Sequence, residues 1–274
     1  MRIRIAYATV YTYEQPPRSV LQRLKLTPRS HDGQHISHWR VDVEPDGRLL
    51  RAEDPLGNIS HTLYCNRPGG SLTLTVHGEA ETSDCNGIVR GTVERFPTSV
   101  FLRQTALTQP DAALADFAEE VAAKAGPDTL TRMHDLMEAI GKKVAFETGM
   151  TGTETTAAEA FNAGHGVCQD LSHIFISSAR RMGAPARYVS GHLAREESRL
   201  EDAAHAWVEA YVENLGWVGF DAANQICPGE AHLRVAVGLD YLDAAPVRGT
   251  RYGGGAEKLE VRLRADQGAA QRQE

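Results

Sequence analysis

Apolar and polar positions alternate through the first third of the chain. In RIRIAY, Ile3, Ile5 and Tyr7 fall on one face, and in SLTLTV the same period places Leu72, Leu74 and Val76 together. HWRVDVEPDGRLL reads as a strand running into a Pro-Asp-Gly turn. Short strands separated by turn residues predict an antiparallel β-sandwich over residues 1–110.

Beyond Gln109-Pro110-Asp111 the period lengthens to that of a helix. Leu114, Phe117, Ala118 and Val121 form one stripe; Leu130, Met133, Met137, Ile140 and Val144 form a second, with Asp128 as its N-cap. Both stripes are core-packing faces. A short helix is expected near Thr155 to Phe161. An amphipathic one opens at Cys168, carries Leu171, Phe175, Ala179 and Met182, and is closed by Gly183 and Pro185. ARYVSGHL, HAWVEAYV and GWVGF, rich in aromatic and β-branched residues, read as neighbouring strands of a second sheet. The fold class is therefore α+β: a β-rich unit over 1–110, a helix-and-sheet unit over 111–266 and a polar tail over 267–274.

Composition narrows the function classes. A formal net charge of -7 gives no general attraction to nucleic acid or to anionic lipid, so neither is an expected partner. No segment runs apolar for the roughly 18 residues of a membrane span, and the N-terminus alternates instead of forming a signal core, which points to the cytoplasm. Four cysteines without a CxxC pair make neither a disulfide framework nor a zinc knuckle; a Cys65 to Cys85 bridge would need an oxidising compartment. Gly253-Gly254-Gly255 lacks the Lys-Ser/Thr of a phosphate loop and reads as a turn.

The chemistry concentrates at GHGVCQD. Cys168 lies in the first turn of its helix, where unpaired backbone N–H groups and the positive end of the dipole favour a thiolate. Gly164 and Gly166 keep side chains away from an approaching substrate. Taken alone, the helix also accommodates a plainly buried cysteine. The hairpin downstream tips the balance. His205, Trp207, Glu209 and Tyr211 share a face of HAWVEAYV, and His205 and Asp221 each stand eight residues from Glu213. A hairpin centred there sets them side by side; the turn ENLG centres slightly later, so direct adjacency requires a bulge or an irregular turn. Together, Asp221 would orient the imidazole, and His205 would stabilise the thiolate and protonate the leaving group.

Other roles were weighed at the same residues. A metal site built from Cys168, His165, His173 and His205 would consume the nucleophile, so neither a metal nor another cofactor is expected. Asp170 falls in the first helical turn, where a carboxylate is favourable structurally. Trp207 and Trp217 suit a core as well as an acyl-binding groove.

GVCQD, ARYVSG, HAWVE and GWVGFDAAN, in that order, resemble the catalytic core of the bacterial transglutaminase-like superfamily, a branch of the papain-like cysteine enzymes, from about Leu130 to Tyr252. LKLTPR, DPLGN and SLTLTV resemble the β-rich domain that precedes this core in many bacterial members. The resemblance implies a papain-like second domain with Cys168 as nucleophile, His205 as general base, Asp221 as orienting carboxylate and the Cys168 backbone N–H as an oxyanion donor. It departs from the family at DAAN, where Asp-Pro-Thr-Asn is usual, and at SGHL, where an aromatic Tyr commonly follows the Gly. His165, His192, Trp207 and Asn224 are the candidate substrate-pocket residues. The expected activity is attack of Cys168 on an amide of a peptide or protein, giving a thioester that passes to water or to an amine. Peptidase or amidase action is favoured over protein crosslinking; the rival class is a binding module that keeps the fold without turnover.

Overall fold

The computed structural model describes residues 1–194 and 204–267. The first half contains strands β1 (Arg2–Tyr13), β2 (Ser19–Thr27), β3 (Gln34–Glu44), β4 (Arg48–Glu53), β5 (Ile59–Asn66), β6 (Ser71–Thr82) and the short β7 (Ile88–Val89). Helices α1 (Ala112–Lys124) and α2 (Thr129–Lys143) follow, then β8 (Ala145–Phe146), α3 (Ala157–Ala163), β9 (His165–Gly166) and α4 (Cys168–Arg181). The chain continues through β10 (Ala186–Leu193), β11 (Ala204–Val212), β12 (Gly216–Phe220) and β13 (His232–Gly238). It closes with α5 (Tyr241–Ala244), β14 (Val247–Tyr252) and β15 (Glu257–Gln267).

The expected N-terminal sheets form in the order β15-β1-β6-β3 and β14-β2-β5-β4. Alternation makes them: Ile3, Ile5, Tyr7, Tyr11 and Tyr13 of β1 and Leu72, Leu74 and Val76 of β6 meet Val20, Leu24, Leu63 and Cys65 in one core. Each sheet takes an outer strand from the far end of the chain. β14 pairs with β2, and β15 runs antiparallel to β1 from Ile3 opposite Gln267 to Tyr13 opposite Glu257. The segment from 247 to 266, read from sequence with the second unit, thus completes the first. Of the expected polar tail, Gln267 is the last residue of β15 and 268–274 lie outside the described residues. All four cysteines are free.

The second unit is a sheet of order β13-β10-β11-β12-β7 with α4 laid across it and α1, α2 and α3 packed around that helix. Leu171, Ile174, Phe175 and Ala179 meet Ala206, Val208, Ala210 and Phe220 in its core. The single apolar stripe expected for α4 is too narrow a description, because Ser172, His173, Ser177, Ser178 and Arg180 are buried as well. A helix enclosed by a sheet and three helices has almost no solvent face; Arg180 and His173 find partners elsewhere in the chain, whereas the Ser177 and Ser178 hydroxyls have none among the described residues. Arg180 bonds the carbonyls of Phe101, Ala186 and Leu239 and the Thr108 hydroxyl. Among the described residues, no helix is long and apolar enough to cross a membrane.

The two units are joined at β13, the edge strand of the second sheet. Two buried amides from the first unit occupy the place of a neighbouring strand. Gln34 accepts from the Arg234 N–H at 2.8 Å and donates to the Arg234 carbonyl at 2.9 Å; Asn58 does the same at Val237, both at 2.8 Å. A sheet edge that would otherwise present unpaired backbone groups is closed in this way. Lys25, from LKLTPR, pairs with Asp54 of DPLGN at 2.5 Å and donates to the Asp243 carbonyl beyond β13, so both N-terminal motifs serve the junction.

Candidate active site

The start of α4 is shaped by its own short-range interactions. α3 ends on Gly164, whose left-handed backbone (φ 74°) suits a residue without a β-carbon. His165 and Gly166 then run parallel to Ala145 and Phe146, and Val167, extended, precedes the first helical residue. Asp170, fully buried, accepts the Val167 N–H at 2.8 Å and the Thr151 hydroxyl at 2.7 Å. A β-carbon at Gly166 would stand 2.7 Å from that of Asp170, so the tight approach requires glycine. Asp170 therefore caps the helix, the structural role expected of it. Cys168, half-buried, opens the first turn among backbone N–H groups that the helix leaves unpaired.

His205 lies beside Cys168 and places Nε2 2.6 Å from Asp221 Oδ2, so Nδ1 is the nitrogen left to face the thiol. Burial pushes the imidazole pKa down, but the bonds to Asp221 and Cys168 outweigh it and raise the value to about 9. Burial likewise opposes ionisation of Asp221, yet hydrogen bonds from His205, His232 and Asn224 hold that carboxyl well below the usual carboxylate range.

The hairpin brings the pair together on a diagonal, so the bulge or irregular turn that direct adjacency would require is not needed. β11 and β12 pair Val208 with Phe220, Ala210 with Val218 and Val212 with Gly216, so the turn centres on Asn214, whose φ is 68°. Continued by one step, this register sets Asp221 opposite Trp207, on the same face as His205 and diagonal to it. The carboxylate reaches His205 across that diagonal. Asp221 leaves the strand by pairing with Ile226, and its Oδ1 accepts the N–H groups of Ala223 and Asn224, each at 3.1 Å. This turn depends on the Asp and Asn side chains, so alanines in its middle leave it intact. Asn224 Nδ2 donates to Asp221 Oδ2 at 2.8 Å and lies 3.2 Å from His205 Nε2, which places Asn224 at the site.

The other pocket candidates are spread around Cys168, His205 and Asp221. His165 is half-buried beside Gly166, and His192 sits next to Gly191, the residue paired with His205. Trp207 is 3% exposed; it packs with Val189 and Val237, stands 6.0 Å from the His205 ring and meets His232 edge-on at 5.3 Å. It walls the Asp221 side of the cluster and lines the small cavity beside His232. Trp217 lies beneath the Arg187 guanidinium, 3.9 Å from its ring centroid. His173 turns away inside α4: its Nε2 accepts the Tyr241 N–H, and burial holds its pKa at about 4.

Sequence reading passed over His232, whose Nε2 lies 3.1 Å from Asp221 Oδ2. It also passed over a buried ion network in which Glu209 bonds Arg187 at 2.6 Å and Arg234 at 2.7 Å while Arg187 also grips Glu94. No short-range motif marks His232; the one signal for the network is a charge in each of three otherwise apolar strands. His205, Asp221 and His232 could by spacing hold a metal, since their donor atoms lie within 4.8 Å of one another. The residues do not fit one. Gly229 donates its N–H to His232 Nδ1 at 3.2 Å, which puts the ring proton on Nε2, the atom that would have to ligate, whereas metal-bound imidazoles donate through their other nitrogen. The Asp221 oxygen is already in direct contact with both rings.

Residues 3–81 match the family described as the bacterial transglutaminase-like N-terminal region, and residues 115–222 match the transglutaminase-like superfamily core. The chain is 29% identical to protein ML0607 of Mycobacterium leprae over 282 residues, covering 95% of this chain and 96% of that one. It is 27% identical to Rv2569c of Mycobacterium tuberculosis, over 92% and 88% of the two chains. Its fold resembles that of a candidate cysteine protease from Cytophaga hutchinsonii, with a TM-score of 0.76 at 21% identity over 95% of this chain and 90% of the other. The N-terminal match covers strands β1 to β6 and the core match runs from α1 to the Asp221 turn: the chain belongs to the transglutaminase-like superfamily.

Proposed function

We propose that the protein is a cysteine-dependent amidase or peptidase acting on peptide or protein amides through Cys168, His205 and Asp221. The observation that carries this reading is the placement of His205, beside Cys168 on one side and 2.6 Å from a buried Asp221 oxygen on the other. The Cys168 sulfur attacks the amide carbonyl, and the backbone N–H of Cys168 at the head of α4 faces the developing oxyanion. His205, as imidazolium, gives its proton to the leaving nitrogen, and a thioester remains on Cys168. Water then enters, His205 takes its proton, and the acid departs as the thiolate is regenerated. Asp221 holds the ring in one orientation throughout and favours its charged form.

Hydrolysis is preferred to crosslinking because, in the cytoplasmic setting expected from sequence, indiscriminate amide crosslinking would damage neighbouring proteins. The description of the Cytophaga relative as a candidate protease accords with this choice. The test is a panel of peptide amides and esters assayed with and without a primary amine. Free acid as the sole product, absent in Cys168→Ala, supports the reading. Turnover that survives Cys168→Ala overturns it, and efficient capture of the acyl group by the amine moves the protein to the crosslinking class.

A further inference from the structure

Two imidazoles, not one, bear on the same oxygen of Asp221. His232 opens β13 and is buried, with Nε2 3.1 Å from Asp221 Oδ2 and its ring 6.0 Å from that of His205. The Gly229 N–H, 3.2 Å from Nδ1, can only donate, so that nitrogen is the acceptor and the ring proton resides on Nε2, directed at the carboxylate. The ring is held on its flank by the edge-on contact with Trp207. Its strand is held by the Gln34 amide two residues on, at Arg234. The core family match ends at 222, ten residues short of His232.

We infer that His232 is a positioning residue for the proposed reaction, acting through Asp221: it fixes Oδ2 in place and shares the carboxylate charge with His205. The inference rests on the acyl-transfer reading. Oδ2 receives His205, His232 and the Asn224 amide, while Oδ1 is occupied by two backbone N–H groups, so the carboxylate is immobilised on both sides. An oxygen that serves an additional donor accepts the His205 Nε2 proton less strongly, and stabilises the imidazolium less, than one that does not. His232 therefore lets the imidazolium give up its Nδ1 proton, the one on the Cys168 side, more readily to the leaving nitrogen while keeping the ring aligned. The other titratable groups around His232 border the small cavity it lines: His31, Cys85, Glu209 and Arg234. Of these, Glu209 and Arg234 are spent on each other.

Two variants and a spectroscopic measurement test this. His232→Leu removes the donor; His232→Gln restores an amide N–H close to the place of Nε2. Assayed on the best substrate from the amide panel, His232→Leu is expected to lower kcat by about 10- to 100-fold with KM within about twofold. That is less than the roughly 10⁴-fold cost of spoiling the orienting carboxylate itself. The alkaline limb of its pH–rate profile should move up by about half a pH unit, because Asp221 then stabilises the imidazolium more strongly. His232→Gln should recover most of the rate and return the profile. In the unmutated protein, long-range ¹⁵N–¹H correlation should show the His232 proton on Nε2, a result that does not depend on whether a variant folds. A proton on Nδ1, or a folded His232→Leu variant with unchanged kcat and pH profile while Cys168→Ala is inactive, overturns the inference alone. Turnover persisting in Cys168→Ala instead overturns the reading on which it rests.

Discussion

Asn58 offers the sharpest test of how the N-terminal sandwich is tied to the sheet of the second unit. Its side chain, 4% exposed, takes the place of a neighbouring strand: it accepts the Val237 N–H and donates to the Val237 carbonyl, both at 2.8 Å, and gives its other proton to Asp54 at 2.9 Å. Replacing it with Leu keeps the approximate volume and removes the amide. The cost is set less by the bonds lost than by the groups left behind. A buried N–H and a buried C=O at Val237 would each be orphaned at about 1–3 kcal/mol, giving roughly 4 kcal/mol in all. For 274 residues unfolding together, at about 2.1 cal/mol/K per residue, that corresponds to a fall in Tm of ~7 °C. Circular dichroism melts of the two proteins, with urea unfolding as a check, measure it directly. A shift of less than about 1 °C would refute the clamp, because it would mean that water or a neighbouring strand already satisfies Val237.

The raised pKa of His205 makes a further prediction about pH. Its charged form is favoured by folding, so the associated stability is fully present below about pH 6.5 and is lost as the pH rises through about 9. The stability difference between the unmutated protein and His205→Ala, measured by urea unfolding, should shrink across that window by on the order of 3 kcal/mol; parallel profiles would disprove the coupling. Glu209→Gln strips the carboxylate from the buried Arg187 guanidinium and the partly buried Arg234 one and should cost about 3–5 kcal/mol, read as a lowered urea midpoint with an unchanged slope. A variant as stable as the parent would show that Arg187 and Arg234 need no counter-charge.

Much of this molecule is legible where the interactions are local. The alternation of Ile3, Ile5 and Tyr7 announces β1, and Asp128 caps α2 as its position suggests, accepting the Thr131 N–H. Cys168 is marked by its glycines and helix start, and His205 and Asp221 by their strands and the family strings. What escaped depends on chain segments far apart in sequence. β15 alternates in KLEVRLR as plainly as β1 does, but nothing local says that its partner lies about 250 residues earlier. The polar face of α4 looked solvated because serine, histidine and arginine usually are; the groups that bury Arg180 come from Phe101, Ala186 and Leu239. The hairpin register missed by two positions because a diagonal contact serves Asp221 as well as a direct one. His232 is a lone histidine before an apolar strand, and only the tertiary fold turns it toward the carboxylate.

The central claim is that an acyl group is carried on Cys168. Rapid-quench mass spectrometry after mixing with an activated ester, followed by peptide mapping, examines that bond itself. One acyl group per chain on the peptide containing Cys168, released by hydroxylamine and absent in Cys168→Ala, is the predicted result. Acyl transfer to a different residue, or turnover of the ester with Cys168 unmodified and replaceable, would contradict the account.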